Sequence, residues 1–351
     1  MKKVPHEPFF FVLESLKNKY ITISMTRTYS FCSNKGGVGK STLSTNLAAA
    51  YALAHPNETI LYCDLTFTKS ISNILCGSTN PASMMGVIHM MSGVSRRRDA
   101  AKRLATIVIP LLAGVVYMLP LVPGAIFVGL FCGVMYTYVF KYVLQRVDPL
   151  ASSCTSTLAP NLRVLVGGET LAAASKEFPW ETAVKEWKVP SSVDVVIFDL
   201  DNVLDTYAKF ALMVSNHVII PSSLNLMDFE RLCIDPRNNS IFDFIKELPK
   251  KHQPTIKGVV FNRVKCIGNA ADDEDDEDFK MSASDSSLRD KLVGMFNAKL
   301  PVGTFALMRE LPPSTIFAML DSSKPIPFLA NTKPFESAKS NFRRIANSLF
   351  V

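Results

Sequence analysis

The stretch at residues 34–42 contains the residue types that bind phosphate groups. It reads Asn-Lys-Gly-Gly-Val-Gly-Lys-Ser-Thr. Glycines let the backbone wrap closely around an anion and point several N–H groups at it. A helix that starts directly after them adds its positive N-terminal end. We therefore expect phosphate contacts from Gly36, Gly37, Val38, Gly39, Lys40, Ser41 and Thr42.

Two side chains in this loop point to a nucleotide rather than to an isolated phosphate. The ammonium group of Lys40 can reach the β- and γ-phosphates, and the hydroxyl of Ser41 can coordinate Mg²⁺ beside them. The loop must then lie between a strand and a helix, because only that context brings the glycines and the helix start to one anion.

The flanking sequence supplies these elements. Residues 28–33 are predicted to form a buried strand, residues 41–53 a helix with Leu43 and Leu47 on one face, and residues 59–63 a second strand. Such a β-α-β order is typical of a parallel sheet. Further short apolar strands are predicted at residues 162–166, 193–198, 217–221 and 258–262. The predicted fold class is therefore a doubly wound, mostly parallel α/β sheet of the P-loop NTPase type.

The loop also departs from the ordinary P-loop pattern, because Asn34 replaces the first glycine and Lys35 is an extra lysine. This form resembles the deviant Walker A loop of the ParA/MinD family of ATPases. In that family the extra lysine reaches the partner's phosphates across a dimer that sandwiches the nucleotide. The resemblance implies that Lys35 takes this role, that the ligands are ATP and Mg²⁺, and that the ATP-bound protein is a homodimer.

Three strand ends extend the resemblance, which covers roughly residues 28–80 and 160–351. Asp64 ends a strand that resembles the second strand of the family, where an acidic residue lies beside the γ-phosphate. Asp199 ends a Walker B-like strand and is expected to hold Mg²⁺ through water, together with Ser41. Asn262 matches, more weakly, the residue that recognises adenine.

Two departures leave the catalytic arrangement open. Thr66 stands where many relatives carry a second acidic residue, and Asp201 lies in a segment where the family usually has small residues or prolines. Either Asp64 or Asp201 would position the attacking water, while Lys35 and Lys40 stabilise the charge on the phosphates. Alternatively, hydrolysis is slow, or the protein binds nucleotide as a switch.

A long apolar insert interrupts the expected ATPase domain. Residues 104–140 contain no Asp, Glu, Lys or Arg, and two prolines and a glycine at residues 119–124 divide them into two segments. Each segment is just long enough to span a bilayer as a helix. We predict an α-helical membrane hairpin within residues 96–148, in contact with lipid through residues 104–140. A buried helical pair and a groove for hydrophobic client segments are the alternatives.

Charge places the predicted hairpin relative to the membrane. The insert has seven basic residues at its two ends against two acidic ones, so it holds most of the net charge of +7. Basic residues at both ends predict that both ends, and hence the ATPase domain, face the cytoplasm. The rest of the chain is close to neutral, so a general basic bias typical of nucleic-acid binding is absent.

The remaining features concern the ends of the chain and its cysteines. Residues 1–27 are predicted to be a leader without a secretory signal, and Met25 is a second candidate start. Residues 28–95 and 149–351 then form the ATPase domain. The seven cysteines are scattered and include no CxxC, which predicts neither a zinc site nor a disulfide framework and favours a reducing compartment.

Two classes of function fit these observations. One is a partition or positioning ATPase that organises DNA or a protein cargo at a membrane, with an adaptor or DNA-binding partner protein. The other is a targeting or assembly switch for membrane proteins that handles no nucleic acid. The sequence does not decide whether the protein binds DNA directly. Regulatory tyrosine kinases of polysaccharide export share the loop and a membrane hairpin, but no tyrosine follows Tyr207 here.

Overall fold

The computed structural model describes residues 26–67, 70–76, 106, 149–150, 152–167, 171, 178–227, 240–262, 283–298, 307–310 and 333–350. Nearly all of the predicted leader and of the predicted hairpin lies outside these ranges. No helix within them is both long and apolar enough to cross a membrane.

One sheet of eight strands organises the described residues. The strands are β1 Arg27–Phe31, β2 Ile60–Leu65, β3 Cys154–Thr155, β4 Leu162–Leu165, β5 Val195–Leu200, β6 His217–Ser223, β7 Thr255–Asn262 and β8 Leu307–Glu310. The helices are α1 Lys40–Ala54, α2 Ser70–Cys76, α3 Trp180–Glu186, α4 Thr206–Val214, α5 Ile241–Glu247, α6 Ala283–Asn297 and α7 Lys333–Phe350, with a 3₁₀ turn at Lys250–His252.

The strand order is β3-β4-β2-β5-β1-β6-β7-β8, and every neighbouring pair is parallel except β3 with β4. β1 therefore lies between β5 and β6, and β2 lies on the other side of β5. In such a sheet ligands bind outside the carboxyl ends of the strands, where the strand order reverses. The predicted mostly parallel α/β fold is confirmed.

The two faces of the sheet are covered by different helices. The six residues of β5 and the six of β2 are all buried, as expected for central strands covered on both faces. One apolar layer contains side chains of α1 and α7, and the other contains side chains of α3, α4, α5 and α6. The core is thus built on both sides of the strands that end at the P-loop.

The C-terminal helix α7 closes the layer that contains α1. Its residues Phe342, Ile345 and Leu349 are buried there. At its end the ring of Phe350 packs edge-on against Tyr51 of α1, with centroids 5.3 Å apart. The carbonyl oxygen of Phe350 also accepts a hydrogen bond of 2.6 Å from Arg27 at the start of β1. These contacts fix α7 against the helix that carries the P-loop.

The described residues on either side of the insert meet at one edge of the sheet. Cys76, the last residue of α2, forms a disulfide with Cys154 of β3, and their Cα atoms are 6.8 Å apart. The carbonyl of Leu75 accepts hydrogen bonds from Ser156 Oγ at 2.8 Å and from Thr157 N at 3.0 Å. The sequence predicted no disulfide framework and did not predict this pair. The two cysteines are 78 positions apart in the sequence, so no local pattern indicated their proximity.

Candidate nucleotide-binding site

The P-loop connects β1 to α1 at the carboxyl edge of the sheet. Two of its glycines have left-handed backbone angles, with φ of 75° at Gly37 and 88° at Gly39. An added Cβ on Gly37 would meet no atom within 4 Å, so only the backbone angle requires glycine there. Gly39 lies directly before Lys40, the first residue of α1, so the loop ends at the N-terminus of that helix. The geometry is that of an anion-binding loop.

Lys40 lies against its own loop and is almost entirely buried. Its Nζ donates a hydrogen bond of 2.9 Å to the carbonyl oxygen of Lys35. Burial lowers the pKa of Lys40, while Cys32 and the carboxylates of Asp199 and Asp201 oppose that shift. The structure thus brings the predicted lysine and two of the predicted carboxylates close enough to interact electrostatically.

Asp199 is a fully buried carboxylate at the end of β5. It lies beside Phe31 of β1 and Asp64 of β2 in the sheet register, and its side chain is fully buried. Neither of its oxygens accepts a hydrogen bond from the described residues. Burial and the charge of Asp64 raise the pKa of Asp199 to about 7, although Ser41, Tyr62 and Lys40 favour its anion.

This state of Asp199 indicates a cation site. Burying a carboxylate without a partner is costly, so it normally pairs with a positive charge or coordinates a metal. Mg²⁺ prefers one or two carboxylates together with phosphates and water. The oxygens of Asp199, with the hydroxyl of Ser41 nearby, fit that requirement.

Asp64 is also buried, but its oxygens are engaged. Oδ1 accepts hydrogen bonds from the Thr66 backbone N–H at 3.0 Å and from its hydroxyl at 2.6 Å, and Oδ2 accepts one from the hydroxyl of Ser72. Burial raises the pKa of Asp64, and these bonds oppose the shift. Gly167 packs so closely on Asp64 that a Cβ added to Gly167 would lie 2.5 Å from the backbone carbonyl oxygen of Asp64. Asp64 is therefore held by the polypeptide around it.

Asp201 is less buried than either of these carboxylates. Its Oδ1 accepts a hydrogen bond of 2.7 Å from the backbone N–H of Asn202. The side-chain nitrogen of Asn202 in turn lies over the P-loop, 3.2 Å from where a Cβ of Gly36 would be. Asp201 and Asn202 thus form the side of the site that follows β5.

Asn262 contacts the P-loop from the other side. It is the last residue of β7, and its Nδ2 donates a hydrogen bond of 3.2 Å to the carbonyl oxygen of Val38. An added Cβ on Gly39 would lie 2.5 Å from the same nitrogen. The predicted adenine contact of Asn262 is not tested by this geometry and stays a prediction.

A group of hydroxyls under the site was not identified from the sequence. The fully buried Tyr62 lies within hydrogen-bond distance of Ser44 Oγ at 2.8 Å and of Thr45 Oγ1 at 3.2 Å. Tyr62 is a polar residue inside an apolar strand, and Ser44 and Thr45 lie on the buried side of α1. These polar residues at positions expected to be buried could have indicated this group of hydroxyls from the sequence. Ser72 and Asn202 carried no comparable signal, because their contacts depend on loop geometry.

The predicted site residues therefore converge in part. Gly36 to Thr42, Asp64, Asp199, Asp201 and Asn262 lie at the carboxyl ends of β1, β2, β5 and β7. Lys35 belongs to the same loop and is partly buried, and its role across a dimer stays a prediction.

Solved structures with the same fold include two nucleotide complexes and one ATPase. A McdA–ATP complex from Cyanothece has a TM-score of 0.56 at 14% identity and covers 90% of this chain and 96% of its own. A ParA family ATPase from Chlorobium tepidum has a TM-score of 0.54 at 14% identity, covering 92% of this chain and 98% of its own. The septum site-determining protein MinD from Pyrococcus horikoshii, with Mg-ADP, has a TM-score of 0.51 at 14% identity, covering 92% and 95%.

At these identities the structures show a common fold, and the family rests on the sequence match. No curated protein matches the chain in sequence. The family model for the CobQ/CobB/MinD/ParA nucleotide binding domain matches residues 29–278. Because this match spans more than half of the sequence, the chain belongs to the CobQ/CobB/MinD/ParA nucleotide-binding domain family, in agreement with the predicted resemblance to ParA and MinD.

Proposed function

We propose that the protein is a ParA/MinD-type ATPase that binds ATP with Mg²⁺ and dimerises through the bound nucleotide. This switch would partition or position a DNA or protein cargo at a membrane. The observation that carries the proposal is the buried Asp199 carboxylate, whose oxygens have no hydrogen-bond partner among the described residues, beside Lys40 at the P-loop.

The residues of the site would have different roles in binding ATP and Mg²⁺. Backbone N–H groups of Gly36 to Thr42 would hold the phosphates, and Lys40 would place its charge between the β- and γ-phosphates. Ser41 and Asp199 would hold Mg²⁺. When bound, Mg²⁺ supplies positive charge at the phosphate oxygens.

Asp201 is better suited than Asp64 to orient the attacking water. Both oxygens of Asp64 accept hydrogen bonds from Thr66 and Ser72, and its side chain is fully buried. Asp201 is partly exposed, and its charge opposes the lowering of the Lys40 pKa that burial causes. A general base must reach the water that it activates. We therefore assign the orientation of the attacking water to Asp201. Asp64 would instead support the fold.

The membrane part of the proposal rests on composition. Residues 104–140 contain no charged side chain, and basic residues flank them on both sides. A hairpin there would hold the ATPase domain at the cytoplasmic face of a membrane. The alternative function is a targeting or assembly switch for membrane proteins with no nucleic-acid role. The near-neutral charge outside the insert favours that alternative, because DNA binding depends on phosphate neutralisation.

Dimerisation by the full-length protein tests the nucleotide switch. Light scattering with ATP and Mg²⁺ should show dimers for the wild type and for the control Lys251→Ala, an exposed lysine of the 3₁₀ turn. Lys35→Ala should bind ATP but form no ATP-dependent dimers. Dimers that persist in Lys35→Ala with normal hydrolysis would refute the cross-subunit role. A wild type that does not bind ATP would refute the whole proposal.

A further inference from the structure

Asn262 ties the P-loop to the sheet at a point between the two ends of the loop. The loop joins β1 to α1, but Asn262 reaches it from β7, which is separated from β1 by β6. The Nδ2 atom of Asn262 donates to Val38 O at 3.2 Å, and the Asn262 side chain is buried. Asn262 therefore connects the middle of the loop to the end of a strand that is not its neighbour.

The position of this hydrogen bond matters because of peptide geometry. The carbonyl of Val38 and the N–H of Gly39 belong to one peptide unit, which is planar and trans, as no cis peptide bond is present among the described residues. In a trans peptide the C=O and N–H point in opposite directions. A donor that holds the carbonyl on one side therefore directs the N–H to the other side.

The glycine next to this peptide gives it conformational freedom. Gly37 and Gly39 both have positive φ, and glycine moves more easily between backbone conformations than any other residue. Rotation of the Val38–Gly39 peptide changes ψ of Val38 and φ of Gly39, and the glycine offers little steric resistance on its side. Contact with Asn262 restricts it further, because the Nδ2 atom lies 2.5 Å from where a Cβ of Gly39 would be.

We infer that Asn262 is a positioning residue that fixes the Val38–Gly39 peptide, so that the Gly39 N–H faces the phosphates. This inference rests on the proposed nucleotide binding and deepens it. This positioning role does not depend on which base the nucleotide carries, because Asn262 contacts the loop that is proposed to bind phosphates. It differs from the adenine recognition that the family resemblance implies for Asn262.

Binding of ligands with and without a base separates the two roles. Calorimetry on the full-length protein should compare ATP, GTP and inorganic tripolyphosphate, all with Mg²⁺. Asn262→Ala should weaken all three by about the same factor, roughly 3- to 10-fold, as expected for one lost hydrogen bond. Asn262→Ser provides a second variant whose shorter side chain cannot reach Val38, and it should behave alike.

The control distinguishes positioning from general destabilisation. Phe261→Leu alters the preceding residue of β7, which is fully buried in the apolar layer that contains side chains of α4 and α5. It should lower the thermal unfolding midpoint and leave all three affinities unchanged. A loss confined to ATP in the Asn262 variants would overturn the inference in favour of adenine recognition, and unchanged affinities would also overturn it. Wild-type protein that binds none of the three would instead refute the proposed function.

Discussion

Asp64 and Asp199 are register partners on adjacent parallel strands, and the hydrogen bonds that Asp64 accepts from Thr66 and Ser72 have no counterpart at Asp199 among the described residues. Both side chains are fully buried at the carboxyl edge of the sheet. Thr66 and Ser72 satisfy Asp64, whereas the oxygens of Asp199 have no donor within the described part of the chain. The two carboxylates therefore differ in their surroundings, and this difference underlies the proposal that Asp199 binds Mg²⁺.

The first prediction concerns the pH dependence of stability without nucleotide. Burial raises the pKa of Asp199 to about 7, above its ordinary value of 3.8. Between these pH values the folded state keeps a proton that the unfolded chain releases, so stability falls as pH rises through this window. Asp199→Asn removes this effect. The variant should gain stability relative to wild type as pH rises from 4 to 7, with the difference constant above that.

Thermal unfolding at pH 5 and pH 8, without nucleotide or Mg²⁺, measures this difference. We expect the advantage of Asp199→Asn to grow by about 2 °C or more, corresponding to roughly 1 kcal/mol. Asp290→Asn, at an exposed position on α6, should show no such change. An advantage that does not vary with pH would mean that the carboxylate of Asp199 is stabilised in its charged form.

The second prediction concerns the P-loop lysine. Lys40→Ala should lower ATP turnover about 100- to 1000-fold, because it removes the buried charge that we propose stabilises the β- and γ-phosphates. Lys251→Ala removes an exposed lysine and should retain wild-type turnover. Steady-state phosphate release measures both. Wild-type turnover in Lys40→Ala would contradict the P-loop interpretation.

The third prediction separates the two candidate carboxylates for the water. Asp201→Asn should lower kcat about 100-fold and leave ATP binding nearly unchanged, as expected for loss of a general base. Asp64→Asn should mainly lower the unfolding midpoint, since it disturbs the bonds to Thr66 and Ser72. Full activity in Asp201→Asn, combined with a catalytic loss in a stable Asp64→Asn protein, would reverse the assignment.

The parts of the site that the sequence predicted are those that local patterns determine. The glycines and Lys40 lie between an apolar strand and a helix, and both elements formed with bounds close to those predicted: β1 at Arg27–Phe31 and α1 at Lys40–Ala54. The carboxylate of Asp199 follows four apolar residues, so its place at the strand end was predictable. Such patterns depend only on neighbours in the sequence.

The parts that were missed depend on contacts between distant residues. The amide of Asn262 meets Val38 across 224 positions, and Cys76 meets Cys154 across 78. The strand β3 has only two residues, and it pairs antiparallel at the sheet edge. No periodicity can reveal an element that short. These features follow from the way the sheet is assembled.

The last prediction concerns the insert. A charged residue at the centre of a membrane helix costs about 2.5–3.5 kcal/mol on insertion scales, and residues 104–140 contain none. Each basic residue near an anionic lipid surface contributes about 1 kcal/mol, and seven such residues flank the apolar run. We therefore expect the full-length protein to fractionate with membranes and to resist carbonate extraction.

Deleting residues 96–148 provides the matched variant. The hydrogen bonds from Ser156 and Thr157 to the carbonyl of Leu75 hold the two ends of this region together outside the deleted segment, so the sheet edge should remain intact. The variant should be a soluble ATPase that binds duplex DNA weakly and loses that binding as salt rises, because Arg343 and Arg344 on α7 offer only a small basic patch. A full-length protein that is soluble without detergent would refute the hairpin. Tight binding of duplex DNA by the deletion variant at physiological salt would instead favour partition over the membrane-protein switch.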